Sequence, residues 1–365
     1  MCFNLNFSVI IPCFNQAHCL NDSLSSLNQQ FFQDWEAIIV NDGSTDNTVE
    51  IAEEWCKKDA RIKLISTSNQ GLSAARNRGI EFSTAKFIAL LDADDKYAPT
   101  HLDSMLDAFK KGIDIVFSGY TYFSRDNDHL HEVTLDKMLN FDQILHKNMT
   151  PPISVAFKRS SLELCGLFDE TLKSAEDWDL WIRFYKSGAQ LGITQKSTTF
   201  YRISDNSMSR QYLTMYQELK KVALMATKKD TRISSDFALN IDLNGTNHTS
   251  VKKSLLMCLG VAVCQNRISE AIDLFKKEKQ LYNFEFIASD FKLMCSYLSF
   301  RYKVSRNDVN YVFEVLYPRF THFFTGLDFS DSDQKAILSE IFSVHTKLQI
   351  RHKWGFLSPV VNRFN

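Results

Sequence analysis

Short apolar runs, each closed by a polar turn and followed by a helical period, recur through the first hundred residues. Phe7-Ser8-Val9-Ile10-Ile11 stops at Pro12 and Cys13-Phe14-Asn15, after which Leu20, Leu24 and Leu27 share one helical face. Ala37-Ile38-Ile39-Val40 runs into Asn41-Asp42-Gly43-Ser44-Thr45-Asp46, where Asp46 can cap a helix carrying Val49, Ala52 and Trp55. Ile62-Lys63-Leu64-Ile65 leads through Asn69-Gln70-Gly71 into a helix of small residues. Phe87-Ile88-Ala89-Leu90-Leu91 ends in Asp92-Ala93-Asp94-Asp95, with another helix starting near Pro99. Strand and helix in alternation predict an α/β domain on a mostly parallel sheet with right-handed crossovers. Asp114 to Phe123 and Ile153 to Phe157 add two more strands.

From about Ser209 the period changes to helices alone. The patterns cover Met215 to Met225, Val251 to Cys264, Ile268 to Phe275, Phe286 to Phe300, Val309 to Tyr317 and Gln334 to Leu348. The expected division is 1–228 for the α/β domain and 229–365 for an α-helical domain that binds an acceptor or a partner. Phenylalanine is abundant in the second half and is expected to fill its core, with an aromatic interaction surface as the lesser alternative.

The 365 residues suffice for one large or two medium domains, and the formal net charge of −1 gives no reason to expect a nucleic-acid partner. Eight cysteines show no Cys-x-x-Cys pair and no histidines at zinc spacing, so they read as reduced, in a cytosol-like compartment. The chain enters a strand almost at once, leaving no room for a signal peptide, and no apolar segment approaches the length of a membrane span. The sequons at Asn244 and Asn247 then read as accidental. Lys252, Lys253, Lys276, Lys277, Lys279 and Arg351-His352-Lys353-Trp354 give a basic and aromatic set suited to peripheral contact with the cytoplasmic face of a membrane, although a solvated helix surface explains them more simply.

Two acidic groups carry the candidate chemistry. Asp92, Asp94 and Asp95 crowd the carboxyl end of a buried strand, where they repel one another unless a cation intervenes. Mg²⁺ or Mn²⁺ fits such oxygen ligands and bridges to substrate phosphates. An acidic turn capping the next helix is the plain alternative. Open α/β sheets bind ligands beyond their strands' carboxyl ends, which favours a site. Glu176-Asp177 precedes Trp178, Trp181, Ile182 and Tyr185, an apolar stripe that buries a helix and fixes its first turn. Taken alone, those two acids are ordinary helix N-terminal residues. The acids and histidines between Ser124 and His131 read as a solvated hairpin tip rather than a second metal site.

Ser8-Val9-Ile10-Ile11-Pro12-Cys13-Phe14-Asn15, Asn41-Asp42-Gly43-Ser44-Thr45-Asp46, Gly71-Leu72-Ser73-Ala74-Ala75-Arg76-Asn77 and Leu91-Asp92-Ala93-Asp94-Asp95, in this order, resemble the family 2 glycosyltransferases. The resemblance continues through Glu176-Asp177-Trp178-Asp179-Leu180-Trp181 and Tyr201-Arg202, covering roughly the first 200 residues. It implies the GT-A fold and an inverting transfer of sugar from a nucleoside-diphosphate sugar, expected to be UDP-linked, to a hydroxyl of a glycan or lipid-linked acceptor. Cell-surface polysaccharide biosynthesis is the expected setting. By the same resemblance Asp94 and Asp95 would hold Mn²⁺ or Mg²⁺, and Asp92 would support the ribose or the loop. Asp177 would be the general base, with Glu176 as its runner-up or as a residue fixing the acceptor. Pro12, Phe14, Asn15, Asp42, Gly71 and Arg76 would join Asp92 in binding the nucleotide. Phe14 would stack on the base, and Arg76 would meet a phosphate or a base carbonyl unless it pairs with a carboxylate. Two positions depart from the family pattern: Ser204 stands where a histidine is usual, and Gln16 where an acid often stands. A catalytically weak or inactive GT-A domain, serving as a glycan-binding or scaffold protein, is the rival reading.

Overall fold

A computed structural model describes residues 6–123, 129–135, 140–203, 210–243, 247–295 and 310–354. Ser204, with its departure from the family pattern, Asn244 and the tip at Asp126 and Asp128 lie outside the described residues. The chain forms two compact units, Met1–Ser204 with Lys221–Asn247, and Asp205–Lys220 with His248–Asn365. Residue 228, expected as the boundary, therefore falls inside the first unit. The reason is non-local bonding: Lys186 donates to the Lys228 carbonyl, and Arg232 pairs with Asp179 at 2.7 Å.

The first unit is built on strands β1 (Phe7–Cys13), β2 (Trp35–Asp42), β3 (Ile62–Thr67), β4 (Phe87–Leu90), β5 (Lys96–Tyr97), β6 (Ile115–Phe123), β7 (His129–Val133), β8 (Val155–Lys158) and β9 (Leu191–Arg202). Among the described residues the sheet runs β3-β2-β1-β4-β8-β6-β9-β5, with β7 hydrogen-bonded to β6. The β3-β2-β1-β4 half is parallel throughout, as the alternation predicts. Beyond β4 the sheet is mixed, because β8 runs antiparallel to both β4 and β6. Every residue of β1, β2 and β4 is buried, the signature of strands covered on both faces. Helices α1 (Leu20–Asn28), α2 (Thr48–Lys58), α3 (Leu72–Phe82), α4 (His101–Lys110), α5 (Arg159–Cys165) and α6 (Glu176–Lys186) follow in chain order.

The small residues of α3 have a packing reason. A Cβ at Gly79 would lie 2.5 Å from Ile10 Cγ2 and 3.0 Å from Val40 Cγ2, so the helix can approach β1 and β2 only with hydrogen there. That close approach sets the position of Arg76 one turn earlier. Glu36, buried in β2, accepts from Ser8 Oγ at 2.7 Å, Lys63 Nζ at 2.7 Å and Thr84 N at 2.8 Å, so its charge is met from three sides.

Helix α7 (Tyr212–Ala226) spans the residues where the two units divide. The second unit contains α8 (His248–Cys264), α9 (Ile268–Tyr282), a 3₁₀ stretch Ala288–Cys295, a π-helical turn Val312–Leu316, α10 (Tyr317–Thr325) and α11 (Asp331–Trp354). Its phenylalanines pack on one another: Phe291 lies 5.2 Å from Phe324 and 5.7 Å from Phe286 between ring centroids. No described helix is long and apolar enough to cross a membrane. Of the expected basic set, Lys252 is paired with Asp290 at 2.7 Å. Asn247 is buried, with its amide donating to two backbone carbonyls, which removes that sequon from solvent.

Candidate active site

The chain order of the sheet places a switch beside β1, with β2 on one flank and β4 on the other. Ligand crevices in open sheets form at such points, beyond the strands' carboxyl ends. Both candidate acidic groups are found there through one side chain. Arg76, 1% exposed, donates from Nη2 to Asp92 Oδ1 at 2.9 Å and from Nη1 to Glu176 Oε1 at 2.5 Å. A guanidinium suits this task because its planar fork carries separate donors for separate carboxylates. Its two ends are thus spent on carboxylates, the pairing weighed for Arg76 from sequence, although both partners are buried or half-buried rather than on the surface.

Asp92 to Asp95 form a turn closed by Asp95 N–H donating to Asp92 O at 3.0 Å. Arg202, at the end of β9, braces it: its N–H donates to Asp95 Oδ1 at 2.7 Å, and Nε donates to Asp94 O at 2.6 Å. Its Nη2 reaches Asp22 at 3.1 Å, so little of the guanidinium is left for the Asp94 and Asp95 carboxylates. Burial, with the charge of Asp92 next, pushes the Asp94 carboxyl up to about 6. Asp95 rises well above the usual carboxylate range, from burial first and then the charges of Asp94 and Asp92. Its Oδ2 is buried without a partner among the described residues. Two under-compensated carboxylates, one with an orphaned oxygen, are a donor set that fits a hard divalent cation. Among the described residues no three acidic, histidine or cysteine side chains come together as a metal-holding group. One or two carboxylates are nonetheless what Mg²⁺-type sites draw from protein, with substrate phosphates and water supplying the rest.

Glu176 and Asp177 open α6, preceded by Ala175 at φ 59°, a left-handed conformation that costs a non-glycine residue roughly 1 kcal/mol or more. No glycine marks this turn in the sequence. Asp177 is 7% exposed; its Oδ1 accepts from Trp178 N–H at 2.7 Å and its Oδ2 from Asn148 Nδ2 at 2.7 Å. Burial, then the neighbouring charge of Glu176, pushes its carboxyl up to about 7, against the opposing pull of Asn148, Arg76 and the Trp178 N–H.

The three turns expected to hold a nucleotide converge on one another. Asn15, at φ 55°, donates its N–H to Ser44 Oγ at 3.0 Å and accepts from Thr45 N–H at 2.8 Å, which joins the first turn to the second. Asp42 accepts from the N–H groups of Gln70 at 2.8 Å and Gly71 at 2.9 Å, which joins the second to the third. Gly71 has φ 95°, which an L side chain would strain. Pro12 is buried in β1, whereas Phe14 is 47% exposed. A cavity of about 290 Å³ opens beside Asp42, bordered also by Thr67, Gln70 and Asn77. Asp46 accepts from Thr48 N–H at 3.1 Å, one residue before the N-cap Asn47, whose own side chain makes no capping bond.

Sequence reasoning missed Asn148, which lies in a stretch without any motif, and the bracing role of Arg202. The signal for Arg202 was its place after Tyr201 in the last of the shared motifs. For Asn148 no local signal exists.

The site and sheet define a glycosyltransferase of the GT-A class, and the comparisons agree. The model for glycosyl transferase family 2 matches residues 8–163. An uncharacterized glycosyltransferase of Haemophilus influenzae is 31% identical over 205 residues, 55% of this chain and 81% of that protein. The chain belongs to glycosyltransferase family 2. It spans only 29% of the length of an uncharacterized glycosyltransferase of Rickettsia bellii to which it is 32% identical over 203 residues, 55% of this chain. Among solved structures, mannosyltransferase PcManGT from Pyrobaculum calidifontis, in complex with GDP-Man and Mn²⁺, aligns at a TM-score of 0.53 and 14% identity over 97% of this chain and 89% of that one. S. aureus TarS 1-349 in complex with UDP-GlcNAc aligns at 0.50 and 16% identity over 93% and 92%. At these identities the likeness establishes the fold.

Proposed function

We propose that the protein is a metal-dependent, inverting glycosyltransferase that moves a sugar from a UDP-linked donor to a hydroxyl of a glycan or lipid-linked acceptor in cell-surface polysaccharide assembly. The observation that carries this reading is the Arg76 bridge, which joins Asp92 of the strand-end cluster to Glu176 beside the proposed base. The donor's nucleotide would lie over the first three turns. Phe14 would stack on the base, Pro12, Asn15, Asp42 and Gly71 would shape its seat, and Arg76 would hold Asp92 toward the ribose. Asp94 and Asp95 would hold Mn²⁺ or Mg²⁺, and such an ion, when bound, neutralises the charge that develops on a leaving diphosphate.

Asp177 takes the proton of the acceptor hydroxyl. A carboxyl pushed up to about 7 is still ionised in part at neutral pH and is a stronger base than an ordinary aspartate. The acceptor oxygen bonds to the anomeric carbon as the bond to the diphosphate breaks, and the proton ends on Asp177. Attack from the face opposite the leaving group inverts the configuration, as with any single displacement. The helical unit, which follows every motif of the transfer site, would select the acceptor or a partner.

The test supplies a panel of nucleotide-sugars with Mn²⁺ and measures free nucleoside diphosphate. Release from a UDP-sugar by the wild type, abolished in Asp177→Asn with UDP binding retained, is the expected result. Nucleotide binding with no release from any donor would instead favour the glycan-binding or scaffold reading.

A further inference from the structure

The residues after the short 3₁₀ turn Phe141–Leu145 carry no motif, yet they reach the proposed base. Asn148 Nδ2 donates to Asp177 Oδ2 while the Trp178 N–H holds Oδ1, both at 2.7 Å. Charge fixes the direction of this amide, since its NH₂ is drawn to a carboxylate that would repel its carbonyl. The carbonyl Oδ1 of Asn148 is buried with no partner among the described residues. A buried acceptor left without a partner is costly, so the amide is not oriented by its own best hydrogen bonding.

The stretch is also clamped from two sides. Trp178 Nε1 donates to Ile144 O at 2.6 Å, and Tyr185 donates to Asp142. Asn247, buried, donates from Nδ2 to Leu145 O at 2.6 Å and to Ala223 O at 3.0 Å, and its Oδ1 pairs with His146 Nδ1 at 2.8 Å. Helix α6 and the chain's return through Asn247 thus hold the backbone on which Asn148 stands.

We propose that Asn148 is the positioning residue for the transfer base, and that Asn247 fixes the segment that carries it. The inference rests on Asp177 being that base. Asn148 locks the carboxylate by one oxygen, leaving the remaining lone pairs in a fixed direction for the acceptor hydroxyl. The other groups acting on Asp177 are Glu176 beside it on α6 and Arg76 from α3, both charged, and the Trp178 N–H. Asn148 is the one that can be removed without altering charge or helix.

Full-length protein is assayed for UDP release from UDP-glucose and UDP-GlcNAc with Mn²⁺ between about pH 5 and 9. Asn148→Ala is expected to lower kcat about tenfold, the worth of a hydrogen bond to a charged group. Donor KM should stay within about twofold, because the donor seat is untouched. The acid limb should move to higher pH, since the lost bond favoured the ionised form. Asn148→Gln should recover part of the rate, and Asn247→Ala should lower kcat in the same direction. The titration midpoint of the Asp177 carboxyl, followed by NMR against Asp177→Asn, should rise in Asn148→Ala, a readout that needs no donor. If the alanine variant does not fold, Asn148→Ser is read the same way. An unmoved limb and midpoint overturn the proposal, as does a rate loss accompanied by weakened donor binding. Asp177→Asn separates the two ideas: if it keeps full turnover, the base assignment fails and this inference with it. If it is inactive while Asn148→Ala behaves as wild type, only this inference fails.

Discussion

The acids of the strand-end turn and the acids opening α6 differ in where their compensation comes from. Glu176 meets the Arg76 guanidinium, and Asp177 is held by two N–H donors, so α6 is supplied from within the chain. At the turn, Arg202 spends its N–H on one Asp95 oxygen and its Nε on a backbone carbonyl, leaving Asp94 and the second Asp95 oxygen short of positive charge. On the proposed function, the shortfall of positive charge at the turn suits an ion from outside, and an acid held by neutral hydrogen-bond donors suits the exchange of a proton. Arg76 connects the two kinds of site, which makes it the first place to break the contrast.

Arg76→Met should remove the shared cation and leave Asp92 and Glu176 facing each other without it. Breaking a buried pair from one side typically costs about 3–5 kcal/mol, so urea denaturation should show the largest stability loss of any change considered. A loss below about 1 kcal/mol would mean that solvent already screens the bridge as it does exposed pairs.

Asp177→Asn should lower transfer by about a hundredfold or more while UDP affinity, read by calorimetry, stays near wild type. It should also change the pH dependence of stability. The Asp177 carboxyl is pushed up from 3.8 to about 7 in the folded chain, so its contribution is present below about 4 and is lost as pH rises through 7. The variant should therefore gain on the wild type between those pH values, by on the order of 1 kcal/mol or more at pH 8. Asn148 can turn its orphaned Oδ1 toward the new amide, which keeps the contact. No gain at pH 8 would show that the wild-type carboxylate is ionised there without penalty.

The two acidic groups and the strands that carry the first of them are legible in the sequence. Buried parallel strands announce themselves as apolar runs, so β1, β2 and β4 and the polar turns after them could be placed from sequence. The acidic groups were legible as family motifs. Their pairing was not, because Arg76 lies 16 residues from Asp92 and 100 from Glu176, and no local period reports such distances. The same limit hid Asn148. It also hid the return of the chain through Arg232 and Asn247, both of which lie in the stretch 229–365 assigned from sequence to the helical domain. Ala175 gave no warning either, since a left-handed turn without glycine carries no compositional mark.

Removal of divalent ions probes the other side of the contrast. UDP affinity with Mn²⁺ should fall at least about tenfold, or 1.4 kcal/mol, on adding a chelator. Asp94→Ala should reproduce most of that loss, whereas Asp177→Asn should not. Equal UDP affinity with and without chelator would mean that the strand-end acids are compensated by something in the chain after all.

Glu278, in the helical unit, is another buried carboxylate and sets the lower end of the scale. It accepts from Tyr216 Oη at 2.5 Å and Lys220 Nζ at 3.0 Å, both within its own unit, so it is fully supplied and has no call on an ion or a substrate. Glu278→Gln keeps an oxygen for the tyrosine and loses the charge that faces the partly exposed lysine. The expected cost is about 1 kcal/mol in thermal or urea unfolding of this unit. UDP affinity and nucleoside diphosphate release should stay within about twofold of wild type, because the residue belongs to neither acidic group of the transfer site. A fall in release as large as that of Asn148→Ala, at unchanged stability, would show that a fully compensated carboxylate can still take part in the reaction, and the rule drawn from the first two sites would fail.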